Sequence, residues 1–154
     1  MPIAAVVLVG AALGAVRSFP SNLPTGDSPS YASFGELAAA TDVFVRGEVL
    51  ETASTSVEGT AMTAYTVRVD ASTGRVGSEA VVVLPSVERP SDATAETEPL
   101  RVGSSYVLGL VPMGKDWQPT SRSQSVFEVV DRDLRPSADG SLSVGRSVQQ
   151  ELGI

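Results

Sequence analysis

The sequence predicts an all-β fold: a small barrel of roughly five or six strands preceded by a short helix, with an immunoglobulin-like sandwich as the alternative. Three observations carry this reading. Apolar and polar residues alternate at period two in Val43–Val49 and Thr63–Asp70, Ala80–Leu84 is a continuous apolar run, and Gly, Ser, Pro and Asp separate these stretches. A strand buried on one face shows such alternation, whereas a strand buried on both faces shows an unbroken run.

The chain opens on an apolar stretch, Ile3–Val16, followed by Arg17. As a helix it would span about 21 Å, short of the ~30 Å hydrocarbon core of a bilayer. It reads as the h-region of a signal peptide or as an N-terminal anchor over residues 1–17, with a buried core helix as the third reading. The basic n-region of a signal peptide is missing, and no cysteine is available for lipidation. Residues 18–32, with Pro20, Pro24 and Pro29 among Ser, Thr, Gly and Asp, read as a linker. The barrel domain is assigned to residues 33–145 and a tail to 146–154.

Within the domain, Ser33-Phe34-Gly35-Glu36 matches a capping box, so a short helix should run to Ala40 and stop at Thr41-Asp42. In Val43–Val49, Val43, Val45 and Val49 alternate with Arg46 and Glu48. Glu58-Gly59 marks a turn. In Thr63–Asp70, Tyr65, Val67 and Val69 share one face and Thr66 and Arg68 the other. Ala80–Leu84 suits a central strand. Pro85–Pro99 reads as a long acidic loop, and strands resume at Tyr106–Val111 and Val126–Val130. Pro112–Gln124 is expected to be irregular, and Asp139-Gly140 to form a hairpin turn between Leu134 and Leu142/Val144. Arg146–Leu152 could supply a short amphipathic helix.

Composition narrows the function. The chain has no His and no Cys, which removes the commonest general base, the Ser-His-Asp arrangement, imidazole and thiolate metal sites, and thiol catalysis. A net charge of −7 argues against a nucleic-acid partner. Arg far outnumbers Lys amid abundant Ala, Val and Gly, the usage of a GC-rich bacterial genome.

Motif matches are few. Gly109–Lys115 fits G-x-x-x-x-G-K, but Asp116 stands where a phosphate-binding loop needs Ser or Thr, and Trp117-Gln118-Pro119 does not begin a helix. Glu88, Asp92, Glu96 and Glu98 lack the spacing of a calcium loop and read as a solvated segment, with a cation or a basic partner as the alternative. Asp131 and Asp133 would share one strand face and read as an exposed strand end. Phe34, Tyr65, Tyr106 and Phe127 suit a core. Trp117, in a polar stretch beside Lys115, either caps the barrel or stands out as a binding anchor.

The order of a short helix, TDVFVRGEVL, AYTVRVD, AVVVLP, GSSYVLGLV and SVFEVV resembles exported bacterial domains of the OB/netrin-like type, and is distantly similar to the N-terminal domain of tissue inhibitors of metalloproteinases. The resemblance covers Ser33–Val130 and implies an OB-like barrel. Inhibitors of that family use an N-terminal Cys and a disulfide scaffold, both missing here, so no site residue is carried over. The expectation is an extracytoplasmic, non-catalytic binding module with no cofactor, a protein partner, and membrane attachment, if any, through residues 1–17. An inhibitor of secreted hydrolases and a passive cell-envelope component are the alternatives. The residues chosen for partner binding are Trp117, Lys115, Glu88, Asp92, Glu96 and Glu98.

Overall fold

The computed structural model describes residues 29–86, 99–136 and 142–154. Helix α1 (Phe34–Ala40) starts where the capping box places it: the Glu36 N–H donates to Ser33 Oγ at 3.2 Å. The Glu36 carboxylate accepts from the Ala32 N–H at 3.0 Å, one residue before the cap. Thr41 ends the helix in an extended conformation, and its hydroxyl donates to the Leu37 carbonyl at 2.8 Å.

Seven strands follow in one sheet: β1 (Val43–Val57), β2 (Thr60–Ser72), β3 (Glu79–Pro85), β4 (Ser105–Met113), β5 (Asp116–Pro119), β6 (Val126–Val130) and β7 (Asp133–Pro136). Their order is β1-β2-β3-β5-β4-β6-β7, and β1 also pairs with β4. That additional pairing closes β1, β2, β3, β5 and β4 into a ring, the small all-β barrel the sequence predicts. All pairings are antiparallel except β3 with β5, which meet in parallel at Val82 and Trp117.

Closing so few strands requires sharp bending, and β1 supplies it. Its register against β2 shifts between Arg46 and Gly47 and again between Val49 and Glu51. Such bulges bend a strand and increase its twist. At Gly47 the backbones come so close that a Cβ would lie 2.2 Å from the Arg68 carbonyl oxygen and 2.7 Å from Val67 Cγ1.

Period-two alternation then sorts the side chains. Val43, Val45 and Val49 of β1, Tyr65 and Val67 of β2, Val82 and Leu84 of β3, and Tyr106, Leu108 and Leu110 of β4 fill the barrel. Val76, between β2 and β3, and Leu100, ahead of β4, also pack against this interior. The Tyr106 hydroxyl accepts the Arg101 N–H at 2.9 Å, which satisfies the buried polar end of the ring. On the outer face, Phe44, Val107 and Phe127 form a second apolar cluster. It is covered by Phe34 and Ala38 of α1 and by Val144, Val148, Leu152 and Ile154 at the C-terminus. Helix α2 (Arg146–Glu151) and Leu152, which is fully buried, therefore make the tail part of the core.

Three expectations are corrected. Pro112–Gln124 is not irregular throughout: β4 runs to Met113, turns at Gly114-Lys115 and returns as β5. Asp131 does not share a strand face with Asp133, because Asp131 and Arg132, at φ 51 and 70, form the turn between β6 and β7. Leu142 and Val144 are not in a strand, and β7 pairs with β6 instead; Asp139-Gly140 lies outside the described residues.

The Gly47 approach yields a stability prediction. Gly47→Ala should cost about 2 kcal/mol, the usual scale of overpacking at a rigid contact, and lower the urea midpoint without changing the slope. An unchanged midpoint would mean that β1 does not bend there.

Candidate interaction surface

The barrel leaves one strand longer than its neighbour. β4 pairs with β1 from Val43 to Glu48. The partnership ends one residue on, where the Val49 N–H donates to the Ser104 carbonyl at 3.0 Å and the Gly103 N–H donates to the Val49 carbonyl at 2.8 Å. β1 continues to Val57 with only β2 beside it among the described residues, so the β1–β2 hairpin extends past β4 as an arm. β3 covers the far side of β2 as far as Pro85. One further bond, from the Ser86 N–H to the Ala61 carbonyl at 3.0 Å, extends that cover.

The hydrogen-bond parity of the arm follows from its turn. Glu58 and Gly59 have φ of 51 and 81, the pair of positive values that a type I′ two-residue hairpin requires. In such a hairpin the flanking residues, Val57 and Thr60, exchange both backbone hydrogen bonds. Counting back in steps of two along the register, Thr55, Ala53 and Glu51 also direct their N–H and C=O toward β2. Thr52, Ser54 and Ser56 therefore direct theirs away from it. Bonding on the far side of β2 agrees, since the Ala61 carbonyl and the Val69 N–H both bond away from β1. Among the described residues no strand pairs with this edge.

Its chemistry is mild. Residues Leu50–Ser56 are all exposed, and the span Leu50–Val57 contains no Lys, Arg or Pro, the residues that usually blunt an open edge. At its base lie Leu50 and Val102, 37% and 56% exposed, the two exposed large hydrophobic residues among those described. On the hairpin, Arg68 pairs with Glu48 at 2.6 Å and with Asp70 at 3.6 Å, and Thr66 donates to Glu51 at 3.4 Å. These exposed links hold side chains in place and add little stability.

Of the residues that the sequence singles out, Lys115 and Trp117 fall elsewhere. Lys115 is exposed in the β4–β5 turn. Trp117 is half-buried on β5, opposite Pro112, bridges to Val82 and packs against the barrel interior. Glu88, Asp92, Glu96 and Glu98 lie outside the described residues, as do residues 1–28, which hold the apolar N-terminal stretch. The G-x-x-x-x-G-K match is a hairpin, with Gly109 inside β4 and Gly114 in the turn, and offers no helix N-terminus to a phosphate.

A buried polar junction is the other conspicuous cluster. Gly109 sits between the two strands on the outer edge of β4: it accepts from the Thr120 N–H at 2.9 Å and donates to the Ser125 carbonyl at 2.8 Å. Residues 121–124 bulge out between these bonds. The Ser125 hydroxyl donates to the Ser121 carbonyl at 2.6 Å and accepts the Ser121 N–H at 3.0 Å. Because the Thr41 hydroxyl already donates to Leu37, the Thr120 hydroxyl must donate to it across 2.9 Å. Gln124 clasps Tyr31, accepting its N–H at 2.7 Å and donating to its carbonyl at 3.0 Å. Partial burial raises the Tyr31 hydroxyl above its ordinary pKa. Every buried side-chain N or O atom among the described residues has a partner. The junction is thus a saturated clasp that fixes α1 and the entering chain to the barrel.

A cavity of about 340 Å³ lies on the outer face among Phe127, Leu134, Val144, Gln149 and Ile154. Its lining includes Pro136 and Leu142, the residues on either side of 137–141. Among the described residues no group of three or more His, Cys, Asp or Glu could hold a metal ion, and no helix is long and apolar enough to cross a membrane. No family model, curated protein or solved structure matches the chain.

The two predicted hairpin residues should separate in stability measurements. Trp117→Ala should destabilise the domain by about 2 kcal/mol, less than the ~3 to 5 kcal/mol of a fully buried aromatic because the ring is half-buried, since it removes the side chain that packs where β5 meets β3. Lys115→Ala should stay within about 0.5 kcal/mol of the parent. Equal urea midpoints for the two variants would return Trp117 to the role of an exposed anchor.

Proposed function

We propose that the chain is a non-catalytic interaction module of the extracytoplasmic space, and that it recognises polypeptide by adding an extended segment to the free edge of β1. The observation that carries the reading is the row of backbone groups at Thr52, Ser54 and Ser56, which no strand pairs among the described residues, on a strand that β2 and β4 hold between them from Val43 to Glu48. An edge of this kind supplies several backbone hydrogen bonds in one plane, the main source of affinity when a peptide adds as a strand. The strand is already ordered by β2, so only the incoming segment loses conformational freedom. Side chains along the edge are small and leave room for a neighbour.

Export rests on the apolar Ile3–Val16 stretch, read as a signal peptide or anchor. The lack of His and Cys throughout the sequence supports binding over catalysis. The charges of Glu88, Asp92, Glu96, Glu98 and Lys115 bear on the choice of partner through the long-range field, which acts on encounter rate more than on affinity.

The test is capture from membrane and culture-medium fractions with the tagged full chain and with a Ser54→Pro variant. The Ser54 N–H points away from β2, so proline removes an outward donor without breaking an internal rung. A protein retained by the parent and lost with S54P, at matched circular dichroism and thermal midpoint, is the expected result. Equal retention by both would move the binding surface away from this edge.

A further inference from the structure

We infer that the strand received by the β1 edge is the same edge of a second copy of this chain, paired antiparallel about a two-fold axis at Ser54. The inference rests on the interaction reading above and names its partner. An edge that can pair with itself must be free of register shifts over the paired length, must offer donors and acceptors in a symmetric pattern, and must bring no like charges opposite each other. The β1 edge meets each condition.

The free stretch begins beyond Val49, whose backbone is held by Gly103 and Ser104, and the shift at Leu50 precedes it. It ends at Val57, where the chain turns. The outward groups are therefore Thr52, Ser54 and Ser56, and they are symmetric about the middle one. With Ser54 facing Ser54 of the second copy, Thr52 faces Ser56 in both directions, and each facing pair exchanges two backbone bonds, about six in all. Moving the axis to Ser56 brings the turn into the ladder, and moving it to Thr52 runs the second copy into Gly103 and Ser104. The Ser54 axis is the register that uses the whole free edge.

Side-chain pairing is permissive in that register. Ala53 faces Thr55, Glu51 faces Val57, and Leu50 faces Glu58, so no carboxylate stands opposite another. The alternation of small residues leaves both faces of the joined sheet unobstructed. A closed two-fold arrangement consumes both edges at once and does not propagate into a filament. The resulting sheet continues from β3 and β2 through β1 into the second copy.

Charge predicts how association responds to salt. Each copy carries −7, so long-range repulsion opposes the encounter, and added salt should favour pairing, the reverse of attraction to a basic segment. The lack of cysteine gives the register a direct test. Ser54→Cys places a unique thiol on the axis, and facing residues of an antiparallel pair lie within disulfide range. Under mild oxidation of the full chain, S54C should give a covalent dimer at least about tenfold faster than Arg122→Cys, an exposed control on the excursion between β5 and β6. A mixture of Thr52→Cys and Ser56→Cys chains should cross-link faster than either alone, and faster at 0.5 M than at 0.02 M salt, values chosen to bracket strong and weak screening at about 4 and 20 Å.

Equal rates for S54C and R122C would overturn the inference, because association would then come from elsewhere in the chain. So would T52C or S56C alone cross-linking as fast as the mixture, since the register would be wrong. If S54C fails while the S54P bait still loses a different protein, the second copy is excluded and the interaction reading stands. If S54P also captures as the parent does, both fall.

Discussion

The structure depends on one strand serving two neighbours. β1 is hydrogen-bonded to β2 along its length and to β4 over its first half, and the ring closes only because it bends where a side chain at Gly47 would collide with the Arg68 carbonyl. A barrel this small has no spare wall, so one tight contact sets the curvature for every other strand. The apolar interior follows: once β1 has turned, its alternate residues and those of β2, β3 and β4 point at a common axis.

Closure also explains why the outer face is not left wet. β4 pairs with β1 on one side and with β5 and β6 in succession on the other, so its outward residue Val107 and the neighbouring Phe44 and Phe127 form an apolar patch outside the ring. A helix at each end of the domain covers it. α1 is fixed by the Ser33 cap and by the Thr41–Thr120 hydroxyl pair, and the C-terminal residues bury Leu152 beside them. Gly145 passes so close to Phe34 that a Cβ would meet the ring at 3.0 Å, which shows how tightly the two ends of the chain are packed against each other. The segment that looks like a tail in the sequence is thus the second half of a lid.

What the sequence could reveal follows from how each element is stabilised. The strands legible in the sequence are those that meet the core: alternation marks Val43–Val49 and Thr63–Asp70, and apolar runs mark Ala80–Leu84, Tyr106–Val111 and Val126–Val130, where β3 and β4 bury residues of both faces. The outer half of β1 has no buried face, so Leu50–Ser56 carries no period beyond the turn that ends it. β5 is short and ends on a proline, and although a tight turn joins it to β4, its other side is held by Val82, more than thirty residues away in sequence. β7 is reached through a two-residue turn without glycine, Asp131-Arg132, where the usual turn signal is missing. The candidate site was hidden for a related reason. Trp117 and the acidic loop attract notice as residue types, whereas the β1 edge is made of backbone and exists because β4 begins at Ser105 and leaves β1 uncovered beyond Val49.

An edge built of Thr, Ser and Ala sits between two hazards. Long hydrophobic edges pair with any exposed strand and aggregate, while edges studded with Lys or Pro pair with nothing. Between Leu50 and Val57 the chain avoids both extremes: no described strand pairs with its outward backbone groups, its outward-bonding residues Thr52, Ser54 and Ser56 are small and polar, and the net charge of −7 opposes indiscriminate association of copies. On the proposed reading, such an edge selects by hydrogen-bond phase and by length rather than by apolar area. The length is fixed at one end by the Gly103–Ser104 clasp on Val49 and at the other by the Glu58-Gly59 turn, so the same geometry that closes the barrel also measures out the strand that can be added to it.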